Sequence, residues 1–426
     1  MSTTTSPACS DPGCAEMSRL SISRRAMLAS AGLAGGLAAV FGDTHVRADA
    51  APLAVDAARS GAAAPVLLVL SLRGGADGLS LVVPHGDPVY YRARPTIAVP
   101  AERLLVADSM FGLHPALGPL SGWWRSGHLA AVHATGLPVR NRSHFAAMEE
   151  VEDADPTSSL RVGWLNRLIG LDAVTSPVQG VHVGGPVPPS ALAGPEPSMA
   201  VPDPDGVRLA ADRVVSPTAR RTSLRVAWRG AHGDLGTSAR SAPALVDAFQ
   251  PATTGTSHVT FPSTFLGKAL AFASRTIRSQ VGAQVVTVDH GGWDMHADVG
   301  TVASGDMVNL ATELGEALAA FLSDLGSHLD RTTVVVLSEF GRRTEENSSG
   351  GLDHGYGNTM LLAGAGVRGG RVHGTWPGLT LGDDADLLVT TDYRSVLAEV
   401  VRTRFGLSTA RVFPGFSPET VGAMSG

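Results

Sequence analysis

The sequence predicts an α/β fold: a mostly parallel central sheet with helices on both faces. Two observations carry this. Short, continuously apolar runs of strand length alternate along the chain with longer amphipathic stretches of helix length, the pattern of a sheet buried on both sides. Polar, glycine-containing segments follow each apolar run directly, as expected where strands of an open parallel sheet end at a ligand-binding edge.

Val66–Leu72 (VLLVLSL) reads as the first fully buried strand, closed by Gly74-Gly75. His114–Gly127 suits a helix, Leu129–Thr135 a second buried strand, and Phe145–Glu152 the start of another helix. Residues 167–262 change in texture. Pro and Gly recur, as in Gly184-Gly185-Pro186-Val187-Pro188-Pro189, and periodicity is poor, so this segment is expected to be an insertion or cap. Phe265–Ser279 is helical, Gln284–Val288 a strand, and Met307–Leu329 a long amphipathic helix. Thr333–Leu337 is the clearest strand, and Thr359–Leu362 a further one. Thr391–Phe405 is a final helix, with Thr391 or Asp392 as its N-cap.

The first fifty residues read as an address. Ser23-Arg24-Arg25-Ala26-Met27-Leu28 is a twin-arginine export pattern, Ala26 to Phe41 is a mildly apolar stretch, and Ala48-Asp49-Ala50 is an A-x-A cleavage signal. Residues 51–426 would form the mature domain, delivered by the twin-arginine translocase to the periplasm, cell wall or exterior. The apolar stretch falls short of the ~20 residues a membrane span needs, and no stable span is expected in the mature chain. Both cysteines, Cys9 and Cys14, precede the cleavage signal, so cleavage removes disulfide, thiolate-metal and cysteine-nucleophile chemistry together. The net charge of -6 argues against nucleic acid as the main partner.

The segments just past the predicted strands hold Arg73-Gly74-Gly75-Ala76-Asp77-Gly78, Asn141-Arg142-Ser143-His144-Phe145, Asp289-His290-Gly291-Gly292-Trp293-Asp294-Met295-His296 and Ser338-Glu339-Phe340-Gly341-Arg342, with Asp353-His354-Gly355 nearby. Carboxylates and imidazoles delivered to one edge need a compensating cation or substrate charge. Oxygen and nitrogen donors without thiolate suit zinc, calcium, magnesium or manganese. Asp77, Asp289, Asp294, His296, Glu339 and His354 are the candidate ligands, although Asp77 also suits an ordinary turn. Ser143 suits either a helix N-cap or a nucleophile favoured by the helix dipole and a neighbouring cation. His144 reads as an orienting or packing residue and Trp293 as a pin for its loop. Arg342 suits an anion clamp or a counter-charge to Glu339. His85, His114, His128, His133, His182, His232, His258 and His373 have no companion motif.

These segments, with Tyr91-Arg92-Ala93-Arg94-Pro95, resemble the motifs of an exported bacterial family named domain of unknown function 1501, over most of Val66–Gly415. That family is similar to the alkaline phosphatase and sulfatase superfamily. The resemblance implies a two-metal hydrolytic site at the strand ends. Asp77 would be the first metal aspartate and Ser143 the nucleophile. Asp289 and His296 would be further ligands, with Asp294 as an alternative, then Glu339 and His354. The departures are Ser338-Glu339 in place of an Asp-His pair, and His290 in place of a small polar residue. The Cys/Ser-x-Pro-x-Arg maturation pattern of sulfatases is also absent from the mature chain. The expected function is metal-dependent hydrolysis of a small anionic ester of phosphate or sulfate type. Ser143 would attack, and Arg342 or Arg142 would hold the non-bridging oxygens. The alternative is an exported scaffold or binding protein that keeps the fold without turnover.

Overall fold

The computed structural model describes residues 45–47, 64–155, 161–172, 176–209, 216–231, 233–382 and 384–425. The twin-arginine pattern, the apolar stretch and Ala48-Asp49-Ala50 lie outside them. Among the described residues the strands are β1 (His45–Arg47), β2 (Val66–Leu72), β3 (Val82–Val83), β4 (Gly112–Leu113), β5 (Leu129–Gly136), β6 (Gly180–Val183), β7 (Ser198–Val201), β8 (Val285–His290), β9 (Thr332–Leu337), β10 (Asn358–Gly364), β11 (Val372–His373) and β12 (Thr391–Asp392). The helices used below are α1 (Gly78–Leu81), α2 (His144–Asp153), α3 (Trp164–Ile169), α4 (Pro217–Ala227), α5 (Gly233–Thr254), α6 (Phe265–Arg278), α7 (Asp306–Asp324) and α8 (Tyr393–Val400).

The main sheet has the order β1-β7-β6-β8-β2-β9-β10-β5-β11, with β12 also on β5. The pairs β7–β6, β6–β8, β8–β2, β2–β9, β5–β11 and β5–β12 are parallel. Within this set β1 and β10 run against their neighbours. Alternate residues of the central strands enter two separate cores. Leu68, Leu70, Val286, Val288, Val334 and Val336 pack in a core shared with α5, α6 and α7. Leu67, Val69, Val285, Val335 and Leu337 pack in one shared with α2, α3 and α8. That period of two explains the continuous apolar runs: both faces of each strand are covered. Each such Val or Leu contributes about 1.5–3 kcal/mol relative to exposure, which makes the sheet a rigid base for the loops at its edge.

Residues 167–262, expected as an insertion or cap, supply β6 and β7 to this sheet. Leu245 and Phe249 of α5 enter the same core as Leu270 of α6. Four-residue strands set among Pro and Gly are too short to register as apolar runs. The predicted helix over 114–127 is instead a 3-10 segment, Pro115–Leu120, followed by Ser121–Arg125, with Pro119 interrupting it. The long helix predicted to Leu329 ends at Asp324 and continues as the 3-10 turn Gly326–Arg331. No helix among the described residues is long and apolar enough to cross a membrane.

Candidate metal centre

β2, β5, β8 and β9 are mutually co-directional, so their carboxyl ends share one edge; the antiparallel β10 begins there. Asn358, the first residue of β10, ties this edge together. Its side-chain nitrogen donates to the carbonyls of Ala76 (3.0 Å) and Phe340 (2.7 Å), and its oxygen accepts from the Gly78 N–H (3.1 Å).

Four polar groups converge above this edge. His354 Nε2 lies 3.0 Å from His144 Nε2, 2.9 Å from His296 Nε2 and 3.1 Å from Asp294 Oδ1. Asp294 Oδ1 is also 3.3 Å from His144 Nε2 and 3.1 Å from His296 Nε2. His144, Asp294 and His354 form the tight group, with donor atoms all within 4.8 Å of one another. His296 joins it at His354 and Asp294.

The other nitrogen of each ring is already engaged. His144 Nδ1 faces Glu339 Oε1 at 2.7 Å, His296 Nδ1 faces Asp353 Oδ1 at 3.1 Å, and His354 Nδ1 faces the Arg142 carbonyl at 2.9 Å. An acceptor opposite Nδ1 places the proton there, so each Nε2 presents a lone pair. Lone pairs and a carboxylate oxygen about 3 Å apart repel unless a proton or cation lies between them. Phe340 packs against the rings of His144 and His354, with centroids 4.8 and 5.0 Å away, and fixes their planes.

The electrostatics agree. The hydrogen bond that His144 donates to Glu339 raises the His144 pKa above its ordinary value. Burial, then the charges of Arg342 and His144, lower that of His354. Burial pushes the Asp294 carboxyl up, but the hydrogen bond and charge of Arg342, with the His354 hydrogen bond, hold it at about 2. Glu339 is likewise pushed up by burial and pulled below its usual range by its hydrogen bond with His144. Of the two shifted rings, His144 is therefore the one whose charged form is favoured and His354 the one whose neutral form is.

Of the expected ligands, the structure brings together Asp294, His296 and His354, with Glu339 one step behind His144. It does not bring Asp77 or Asp289 to them. Asp77 is fully buried and forms a two-pronged ion pair with Arg94, at 2.5 and 3.0 Å. Asp289 pairs with Arg73 at 2.9 Å, and Arg73 also binds Glu152 at 2.6 Å. Arg342 is neither a free anion clamp nor the partner of Glu339. Its side chain is buried and donates to the carbonyls of Gly75 (2.6 Å), Leu352 (2.8 Å), Trp293 (3.1 Å) and Gly74, and to Asp294 Oδ1 (2.7 Å). Ser143 occupies the N-cap position of α2 without a side-chain capping bond; its own N–H donates to Asn141 Oδ1 at 3.0 Å. The residue that sequence reasoning passed over is His144, adjacent to Ser143 at the first turn of α2. The signal was there: a histidine that opens a helix immediately past a sheet edge points where a ligand sits.

Residues 114–412 match the family described as Protein of unknown function (DUF1501). The chain belongs to that family. The family match begins after β2 and its glycine turn and covers the His144, Asp294, His296 and His354 segments alike. Comparison with curated proteins finds no match. Among solved structures the chain is similar to the PsFucS1 sulfatase from Pseudoalteromonas sp., at 12% identity and TM-score 0.37 over 85% of this chain and 74% of that one. It is also similar to the zinc complex of the C-terminal periplasmic domain of EcEptC from Escherichia coli, at 9% identity and TM-score 0.34 over 71% and 73%. A third is the lipoteichoic acid synthase LtaP from Listeria monocytogenes, at 10% identity and TM-score 0.33 over 75% and 72%.

Proposed function

We propose that this protein is an exported, metal-dependent hydrolase of phosphate- or sulfate-type esters, with one zinc-class cation held by His144, Asp294, His296 and His354. The observation that carries it is the convergence of three Nε2 lone pairs on one carboxylate oxygen, each ring held from behind. A tetrahedral zinc with bonds of about 2.0–2.1 Å sets its donors about 3.3–3.4 Å apart. The separations here are 2.9–3.3 Å. Three imidazoles and one carboxylate favour zinc, with manganese next; calcium and magnesium want oxygen shells.

A bound cation would supply Lewis acidity toward an ester oxygen and acidify a water. The chain's own residues do the positioning. Glu339, Asp353 and the Arg142 carbonyl hold the Nδ1 protons, and Arg342 fixes Asp294. Asp294 and His296 have side chains about half exposed, 48% and 46%, so a substrate can reach the donors from that side. Ser143 is the proposed nucleophile. It lies beside His144 where the first-turn N–H groups of α2 favour developing negative charge.

The test is metal analysis of the purified chain, followed by turnover of aryl phosphate and aryl sulfate with zinc or manganese. Metal should be lost in His354→Ala and Asp294→Ala. Ser143→Ala should abolish turnover with metal retained; an unharmed variant of an active enzyme assigns the attack to water. Metal bound with no turnover of either ester leaves the non-catalytic scaffold. Export is part of the same proposal, and Arg24→Lys with Arg25→Lys should leave the chain in the cytoplasm.

A further inference from the structure

Beside the metal centre, three arginines from two loops close on one exposed carboxylate. Arg142 NH1 lies 2.7 Å from Asp384 Oδ1, Arg343 NH2 3.1 Å from the same oxygen, and Arg140 NH1 3.3 Å from Asp384 Oδ2. Behind them Asp386, with a fully buried side chain, takes Arg142 NH2 at 2.6 Å and Arg140 Nε at 3.2 Å. Asp386 therefore holds the Arg140 and Arg142 guanidiniums without Asp384. Asp384 is different: its side chain is 64% exposed, and it occupies the outer edges of all three. The group carries three positive charges against two negative ones. It is also joined to the metal centre, since the Arg142 carbonyl accepts from His354 Nδ1 and the Arg343 N–H donates to the Asp353 carbonyl at 3.0 Å.

We propose that Arg140, Arg142 and Arg343 form a seat for an oxyanion group of the substrate, carried beyond the ester that reacts, and that Asp384 fills this seat in the free protein. The inference rests on the hydrolase reading and narrows its substrate to esters bearing a second acidic group. Planar guanidiniums match carboxylate, phosphate and sulfate oxygens alike. An exposed side-chain carboxylate on a loop is a ligand that an incoming oxyanion can displace, because water already reaches it and solvates it on release.

Calorimetric titration with inorganic phosphate tests the seat without any need for turnover. Asp384→Ala should bind phosphate at least about tenfold more tightly than the wild type, as expected for charge-assisted hydrogen bonds made newly available. Adding Arg343→Ala should remove the gain, and high salt should weaken it. The gain should survive in Asp384→Ala combined with His354→Ala, which separates this seat from the metal centre. Wild-type affinity in Asp384→Ala overturns the proposal, and so does a gain that disappears with His354→Ala. Asp384→Asn, which keeps the side-chain shape, guards against a folding artefact and should lie between the two. If esters are turned over, Asp384→Ala should lower KM for an aryl phosphate bearing a carboxylate and leave kcat unchanged. Equal KM changes for that ester and its unsubstituted counterpart would mean that the seat takes free phosphate, overturning the assignment to substrate. Absence of turnover would remove the hydrolase reading and leave the phosphate result standing.

Discussion

Replacing Arg94 by methionine separates the two roles that an aspartate at position 77 can have. Asp77 and Arg94 both have side chains of 0% exposure. Besides its two bonds to Asp77, Arg94 donates to Ser80 Oγ (3.1 Å) and to the carbonyls of Thr344 and Arg343 (both 3.0 Å). Methionine keeps the stem and removes all of these donors. Removing one partner of a buried ion pair costs about 3–5 kcal/mol, and each carbonyl left without a donor adds about 1–3 kcal/mol where water cannot reach it. Asp77 can escape part of this by taking up a proton, so a loss at the low end of that sum, about 5 kcal/mol, is expected. Asp77→Asn should cost about 3 kcal/mol, because the amide still accepts from Arg94. The assay is urea unfolding of both variants against wild type, with metal content measured on the folded fraction. Both should be destabilised and keep their metal. Burial pushes the Asp77 carboxyl up, but the charge and hydrogen bonds of Arg94 pull it below its usual range. A depressed carboxylate pKa means that this stability is present above the unfolded pKa of about 3.9 and disappears as pH falls through the folded value. Wild type should therefore lose stability in acid more steeply than Asp77→Asn. A folded Asp77→Asn with wild-type stability and depleted metal would refute the reasoning and make Asp77 a ligand.

Glu339→Gln should lower metal affinity about 10–100-fold, read by chelator competition, because the His144 ring loses the carboxylate behind it. Arg342→Lys should destabilise by about 3 kcal/mol or more, read in the same urea assay, since one ammonium cannot reach the four carbonyls and Asp294 that the guanidinium serves. Gly75→Ala should cost about 1–3 kcal/mol: Gly75 has φ +63°, and a Cβ there would lie 2.5 Å from the Phe340 ring that packs on His144. Lower metal affinity should accompany that loss.

The sheet was legible because its strands are buried on both faces. Val66–Leu72 and Thr333–Leu337 announce themselves as unbroken apolar runs, and the structure places them side by side as β2 and β9. β6 and β7 escaped notice because four residues framed by Pro and Gly carry too little pattern. The site was half legible. Asp294, His296, Glu339 and His354 stood out as polar groups in short loops past strand ends. Asp77 stood out for the same reason, yet its partner Arg94 lies in a separate motif, and nothing in the spacing says that the two meet. His144 was hidden by Ser143, whose chemistry at a helix start looked sufficient. The difference between a histidine that packs and one that ligates lies in what stands behind its Nδ1, and Glu339 is 195 residues away.

The reversal of β10 has a consequence for the order of assembly. Because β9 and β10 are antiparallel neighbours, residues 338–357 form an arch that leaves and re-enters the sheet at one edge. Glu339, Arg342, Asp353 and His354 all belong to this arch, so a short closure gathers them cheaply in chain entropy. Asp294 and His296 arrive from the end of β8, and His144 from the end of β5. Neither can meet the arch until β2 has joined β8 to β9, and β10 has joined β5. One of the four donors, His354, is therefore gathered locally with its supports, and the other three reach it only in the finished sheet. A cation that needs all four is captured by a chain already folded, and its uptake should be a late event, kinetically separate from collapse of the core.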